Sequence, residues 1–151
     1  MRTQLMSITR LPVPPSSNQI YAFYNGRMIK TKVYKQYETE VVRWVSKNPD
    51  QVKRVREFLK QIDGFVIHIE SIFWMPKKTI VCINGKPKRN DTSNRIKALH
   101  DALSSIVLGV DDSYFWSGKF DKMVLLTDVK ADGYVNINLR LRKMNELMGE
   151  L

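Results

Sequence analysis

Cysteine is nearly absent: Cys82 stands alone, so no disulfide can form within the chain and a cysteine-based zinc site is ruled out. Histidine is as scarce, and His68 and His100 are too few for a His-rich metal centre. Long apolar runs are missing too. The longest uncharged stretch, Leu11 to Gly26, carries three prolines, two asparagines and two serines, which excludes it as a bilayer span. No apolar segment followed by a small-residue cleavage site opens the sequence. The expectation is a cytoplasmic protein with no membrane partner. Acidic residues are also in short supply: 15 Asp and Glu face 25 Lys and Arg, a net charge of +10. A surplus of that size repels itself unless an anionic partner offsets it, which points to nucleic acid. The plainer reading is a basic soluble protein.

What is present is enough for one folded domain. A chain of 151 residues buries roughly 70 % of its unfolded surface, so no metal or disulfide staple is needed. An apolar share of 43 % excludes disorder on compositional grounds. No repeat, low-complexity segment or linker-like shift divides the chain, and residues 1–151 are expected to form a single domain. Gln4 to Leu11 predicts a first strand, ended by Pro12. The segment from Pro12 to Asn18 must be extended and turn-rich, because prolines lack the donor for ladder or helix bonds. Asn25-Gly26, between Tyr21–Tyr24 and Met28-Ile29, is a hairpin signal.

Tyr34, Tyr37, Val41, Trp44 and Val45 recur at helical spacing and predict a helix over 33–46. Val52, Val55, Leu59 and Ile62 predict a second over 51–62. Phe65 to Trp74 reads as a long strand, and Pro76 to Asn90 as a basic, turn-prone segment. A third helix is expected over 93–108, with Asp91 to Asn94 supplying cap chemistry and Gly109 ending it. Two closing strands follow, over 122–127 and 134–141, with Asp132-Gly133 as the turn between them. In the last, Val135, Ile137, Leu139 and Leu141 alternate with polar residues, the pattern of a sheet wet on one face. The expected fold class is α+β: a small mixed or antiparallel sheet with helices packed on one side.

The informative chemistry begins at Asp91. Between Pro76 and His100 there are seven basic residues (Lys77, Lys78, Lys86, Lys88, Arg89, Arg95 and Lys97) and one acid, Asp91. A carboxylate among cations at a helix N-terminus stays ionised, and it serves either as a plain cap or as an ion ligand. Asp111-Asp112, just past Gly109, is either an acidic surface turn or a pair that a divalent cation would relieve. Spacing does not force Asp112 to meet Asp91, because a strand returning along the helix starts near that helix's C-terminus. Lys97 and Asp101 share a helix face, as an ordinary surface pair or as a phosphate contact with its orienting carboxylate. Tyr114, Phe115 and Trp116 read either as strand residues packed into a core or as a stacking platform for unpaired bases.

Taken in order, these residues resemble the RusA-like Holliday junction resolvases of bacteria and phages. The family pattern is Asp-x-Asp-Asn-x-x-Lys, then Asp-Ala-Leu, then Asp-Asp, then a downstream Lys. It appears here as Asp91 to Lys97, Asp101-Ala102-Leu103, Asp111-Asp112 and Lys122. Leu11 to Asn18, with Tyr21 and Gly26-Arg27, also looks like the family's opening. The resemblance implies a homodimeric, Mg2+-dependent endodeoxyribonuclease that resolves four-way DNA junctions, with Mn2+ able to substitute. It implies Asp91, Lys97 and Asp112 as catalytic residues and Asp91 and Asp112 as metal ligands. Ser93 stands where the family commonly has a second aspartate; its hydroxyl could hold a metal-bound water, or Asp111, the preferred substitute ligand, or Asp101 could complete the shell. Ser93, Asn94 and Asp101 would support the site, and Lys77, Lys78, Lys86, Lys88, Arg89, Lys97, Lys119 and Lys122 would hold DNA. Two other readings remain: a branched-DNA-binding protein whose metal site has degenerated at Ser93, and an RNA-associated basic protein.

Overall fold

A computed structural model describes residues 5–16, 21–88, 92–125 and 133–149, with the backbone alone at 92–94. Its centre is strand β4 (Phe65–Pro76), rich in β-branched and aromatic residues that favour extended backbone. Strand β6 (Tyr134–Lys143) pairs antiparallel on one side of β4, and β5 (Phe115–Leu125) pairs parallel on the other. Strand β1 (Leu5–Leu11) completes the sheet beyond β6, giving the order β1-β6-β4-β5. The sheet is mixed, as the α+β reading expects. Residues Ile67, Ile69, Phe73 and Met75 of β4 and Val135, Ile137 and Leu139 of β6 are buried on one face, beneath the helices.

Helix α1 (Lys32–Lys47) begins at Thr31, whose hydroxyl accepts from the Tyr34 N–H at 3.3 Å, and it buries Tyr34, Tyr37, Val41 and Trp44 as expected. Helix α2 (Pro49–Phe58) starts with proline in its first turn, where the missing N–H is not needed, and a 3-10 turn over Leu59–Gln61 extends it. Strands β2 (Tyr21–Tyr24) and β3 (Arg27–Lys30) form a separate hairpin. Its turn takes φ of 50° at Asn25 and 74° at Gly26, the left-handed pair that the Asn-Gly signal predicts. The basic segment after β4 is not all turn: Lys77–Ile80 forms a single helical turn, α3, and a bridge between Val81 and Pro87 closes the following loop.

Three expectations need correction. Strand β5 begins at Phe115 rather than at Lys122, because Gly118 and the charges at Lys119 and Asp121 dilute its apolar signal. The last two strands are not hairpin neighbours: β4 lies between β5 and β6. Asp132, of the expected Asp132-Gly133 turn, lies outside the described residues. Gly133 has φ of +88°, and a Cβ there would run into the Trp74 carbonyl. The third helix, finally, is α-helical only over Thr92–Ala102 (α4) and widens to a π-helical segment over Leu103–Leu108 before Gly109 ends it in the left-handed conformation. Arg56 of α2 donates to the carbonyls of Val107 and Ile106 at 3.0 and 3.1 Å, satisfying acceptors that a helix end leaves open. Among the described residues, no helix is long and apolar enough to cross a membrane.

Candidate active site between α4 and β5

Helix α4 is the crossover that a parallel β4–β5 pair requires. At its end Gly109 reverses the chain, and the Asp111 carboxylate accepts from the Ser113 N–H at 2.8 Å. That contact caps a one-turn 3-10 helix over Asp112–Tyr114. The Trp116 indole N–H donates back to the Ser113 carbonyl at 3.0 Å and fixes the same turn. The result presents Asp112 to the flank of α4 rather than to its end. Ile96, Lys97, His100 and Asp101 of α4, with Asp112 and Phe115, line one open cavity of about 340 Å³. The spacing explains the helix contribution, because residues three and four apart lie on one face.

The electrostatics of this cavity are those of a crowded acidic pair beside a cation. Burial pushes the Asp101 carboxyl above the usual carboxylate range, Lys97 opposes the rise, and Asp112 adds to it as a like charge. Lys30 and Glu38 act on the same group more weakly, in opposite directions. Burial lowers His100 below its ordinary value, with Asp112 pulling the other way, and the ring stands edge-on to Phe115 at 5.5 Å. Asp111 differs: it is exposed, and the Ser113 N–H holds its carboxyl below the ordinary value. One of its oxygens is committed to the cap, and it is not on the cavity wall. Asp101 shares the cavity wall with Asp112, whereas Asp111, whose carboxyl also meets that of Asp112, lies off it.

The hairpin meets the site at Lys97. Lys97 Nζ lies 5.5 Å from the centre of the Tyr21 ring, which stacks on Tyr34 at 5.6 Å. Lys30 Nζ sits over Tyr34 and pairs with Glu38 at 3.1 Å. His100 and Tyr21 were not among the expected site residues. The position of His100, three residues after Lys97 and one before Asp101, is the signal that would have found it.

The expected nucleic-acid set is spread more widely than its order in the sequence suggests. Lys77 and Lys78 on α3, with Lys86 and Lys88 on the loop after it, are exposed. They stand at the far end of β4 from Ile67, the partner of Phe115, and nine residues of strand separate Ile67 from Pro76, roughly 30 Å. Lys119 pairs opposite Glu70 and Lys122 opposite Phe73, so these two lysines point to opposite faces of the sheet. Arg89 and Asp91 lie outside the described residues, as do the side chains of Ser93 and Asn94. Tyr114 and Phe115 pack against the core, whereas Trp116 is 50 % exposed. Among the described residues, no group of three or more metal-ligating side chains is assembled.

A strongly basic α+β domain with two carboxylates and a lysine around an open cavity holds the residue types that metal-assisted phosphate chemistry uses. The family model of the endodeoxyribonuclease RusA matches residues 12–129, which span the hairpin, the cavity and all of β5. The chain belongs to the RusA endodeoxyribonuclease family. No individually curated protein matches it.

Proposed function

We propose that this protein is a Mg2+-dependent endodeoxyribonuclease that cuts four-way DNA junctions, acting as a homodimer so that two sites meet two opposed strands. The observation that carries the reading is the convergence of Lys97, Asp101 and Asp112 on one open cavity within the family-matched region. The donor set suits a hard divalent cation: Asp101 and Asp112 line one cavity, and burial, with Asp112 a lesser contributor, raises the Asp101 carboxyl. Asp91 and Asp112 would hold the ion, with Asp101 better placed than Asp111 to complete the shell where Ser93 replaces a carboxylate. Mg2+ bound there, or Mn2+ in its place, would supply activation of the hydrolytic water and neutralise charge on the phosphate.

The chain's own residues do the rest. Lys97, held against the Tyr21 ring, offers a fixed positive charge where negative charge builds up on the phosphate. Phe115 and Ile96 form the apolar wall of the cavity and limit water on that side. Lys77, Lys78, Lys86 and Lys88 provide a second point of backbone attachment past the end of β4, roughly 16 Å along the strand from Ser71, which shares a cavity wall with Ile96 and His100, and roughly 30 Å from Phe115; that suits an extended polyanion better than a small phosphate ester.

The test incubates the protein with a synthetic four-way junction and with linear duplex, with and without Mg2+. Metal-dependent cutting of the junction alone is expected, and equal cutting of both removes the junction specificity while leaving a nuclease. Ser93 favours one second reading, a branched-DNA-binding protein that does not cut. Metal-independent junction binding with no product over hours would establish it.

A further inference from the structure

Hairpin β2–β3 lies outside the four-stranded sheet and pairs with neither of its edges. Two-stranded hairpins are marginal alone, and among the described residues this one is tied down at its base, where Tyr21 stacks on Tyr34 and supports Lys97, and Lys30 pairs with Glu38. Beyond the base, Phe23, Tyr24, Met28 and Ile29 are large, apolar and exposed. Phe23 is 76 % exposed and Met28 64 %. The two are direct cross-strand partners, and the next pair on the same face is Tyr21 with Lys30. One strip therefore runs from the ring that supports Lys97 out to Phe23 and Met28. Two residues of strand advance about 7 Å, which is about two base steps of a DNA strand at 3.4 Å each.

The surroundings of the strip are basic. Arg27 beside the turn and Lys32 and Lys35 on the first turn of α1 are all exposed, and Glu38, paired with Lys30, is the nearby acid. The core of a protein–protein interface is depleted in lysine, whereas an apolar wedge ringed by cations suits a polyanion whose bases can be separated. We propose that Phe23 and Met28 form a wedge that stacks against unpaired or unstacked bases at a DNA branch point, beside the strand whose phosphate Lys97 contacts. The proposal rests on the nuclease reading above. A branch point interrupts base stacking, so the cost of opening a step is lower there than in duplex, and aromatic stacking tolerates any base. The wedge thus discriminates by shape rather than by sequence. It also takes the role that the sequence had suggested for Tyr114, Phe115 and Trp116, of which the first two are packed against the core.

The test measures binding without divalent metal, by fluorescence anisotropy, to a four-way junction and to linear duplex of equal length. A 2-aminopurine placed at the branch point reports stacking. Phe23→Ala is expected to weaken junction binding by about five- to 150-fold, the range for loss of one base-stacking aromatic, and to leave duplex binding within about twofold because phosphate contacts are intact. Met28→Ala should weaken junction binding in the same sense by less, and Phe23→Trp should restore both affinity and the 2-aminopurine signal. Equal losses on both substrates, or no loss on either, overturn the wedge. So does a sedimentation shift from dimer to monomer in Phe23→Ala, which would mean that a second copy covers this face. A wild-type protein that cuts junctions while Phe23→Ala binds unchanged sinks the wedge alone. A wild-type protein with no junction preference removes the junction specificity of the proposed function together with the wedge, and leaves a nuclease.

Discussion

Replacing Lys97 by methionine keeps the side chain's length and removes its charge, and so isolates what that charge does. The ammonium is exposed, beside the Tyr21 ring, on a cavity that Asp101, one helical turn along the same face, and Asp112 also line. A unit charge about 4 Å from a phosphate oxygen contributes about 1 kcal/mol in bulk water and about 4 kcal/mol at the effective dielectric of a protein surface. Lys97 lies between those limits, so the variant should slow the cutting step by between about fivefold and about 1,000-fold. A second consequence comes from Asp101, whose carboxyl is raised by burial and held down by Lys97. Removing the lysine lifts Asp101 further, so the acid limb of the rate profile should move to higher pH if cutting requires the ionised carboxylate. Single-turnover cleavage of a junction at saturating protein, measured across pH, reads both effects, and Lys97→Arg should retain most of the rate. A variant that cuts at the wild-type rate once saturated, with only a weaker Kd and an unmoved pH profile, would show that Lys97 holds DNA and does no more.

The other expectations are simpler. Asp112→Asn should abolish cutting yet keep or tighten junction binding in a gel-shift assay, because it removes a negative charge facing phosphate; loss of binding would indicate a structural role. Asp101 has a raised folded-state pKa, so its contribution to stability is present below the ordinary carboxylate range and is lost as pH rises through the folded value. Asp101→Asn should therefore raise the melting temperature at neutral pH, with the gain fading in acid. Gly133→Ala places a side chain at φ of +88° against the Trp74 carbonyl. It should lower stability by at least about 1–2 kcal/mol, read as a lower urea midpoint at unchanged slope. Binding should weaken with salt, and each of Lys77, Lys78, Lys86 and Lys88 that contacts a phosphate should, when replaced by alanine, reduce the slope of log K against log salt by about 0.9.

The elements were legible where one periodicity dominated. Helix α1 followed from Tyr34, Tyr37, Val41 and Trp44, and β6 from four apolar residues alternating with polar ones, because in each the buried face alone decides the pattern. Strand β5 was half hidden because it is an edge strand. Only one of its two long sides is paired, and Gly118, Lys119 and Asp121 are tolerated there as they would not be in the centre. Strand order was hidden for a different reason: the parallel β4–β5 pair and the antiparallel β4–β6 pair depend on where the crossover helix packs, and no local signal in β5 or β6 records it.

The cavity shows the same division. Lys97 and Asp101 were legible as a pair because helical spacing places them on one face, and the same rule contains His100. The arrival of Asp112 beside them was not, since a strand returning along a straight helix would start near that helix's end. Three local features redirect it. The widened turn over Leu103–Leu108 ends in the left-handed Gly109, the Asp111 carboxylate folds the next three residues into a 3-10 turn, and the Trp116 indole ties that turn down. Asp111 and Asp112 are neighbours in sequence, and the structure has Asp111 capping the turn while Asp112 lines the cavity. Adjacent identical residues carry no spacing information that could separate those roles, and only the hydrogen bond from Ser113 does so.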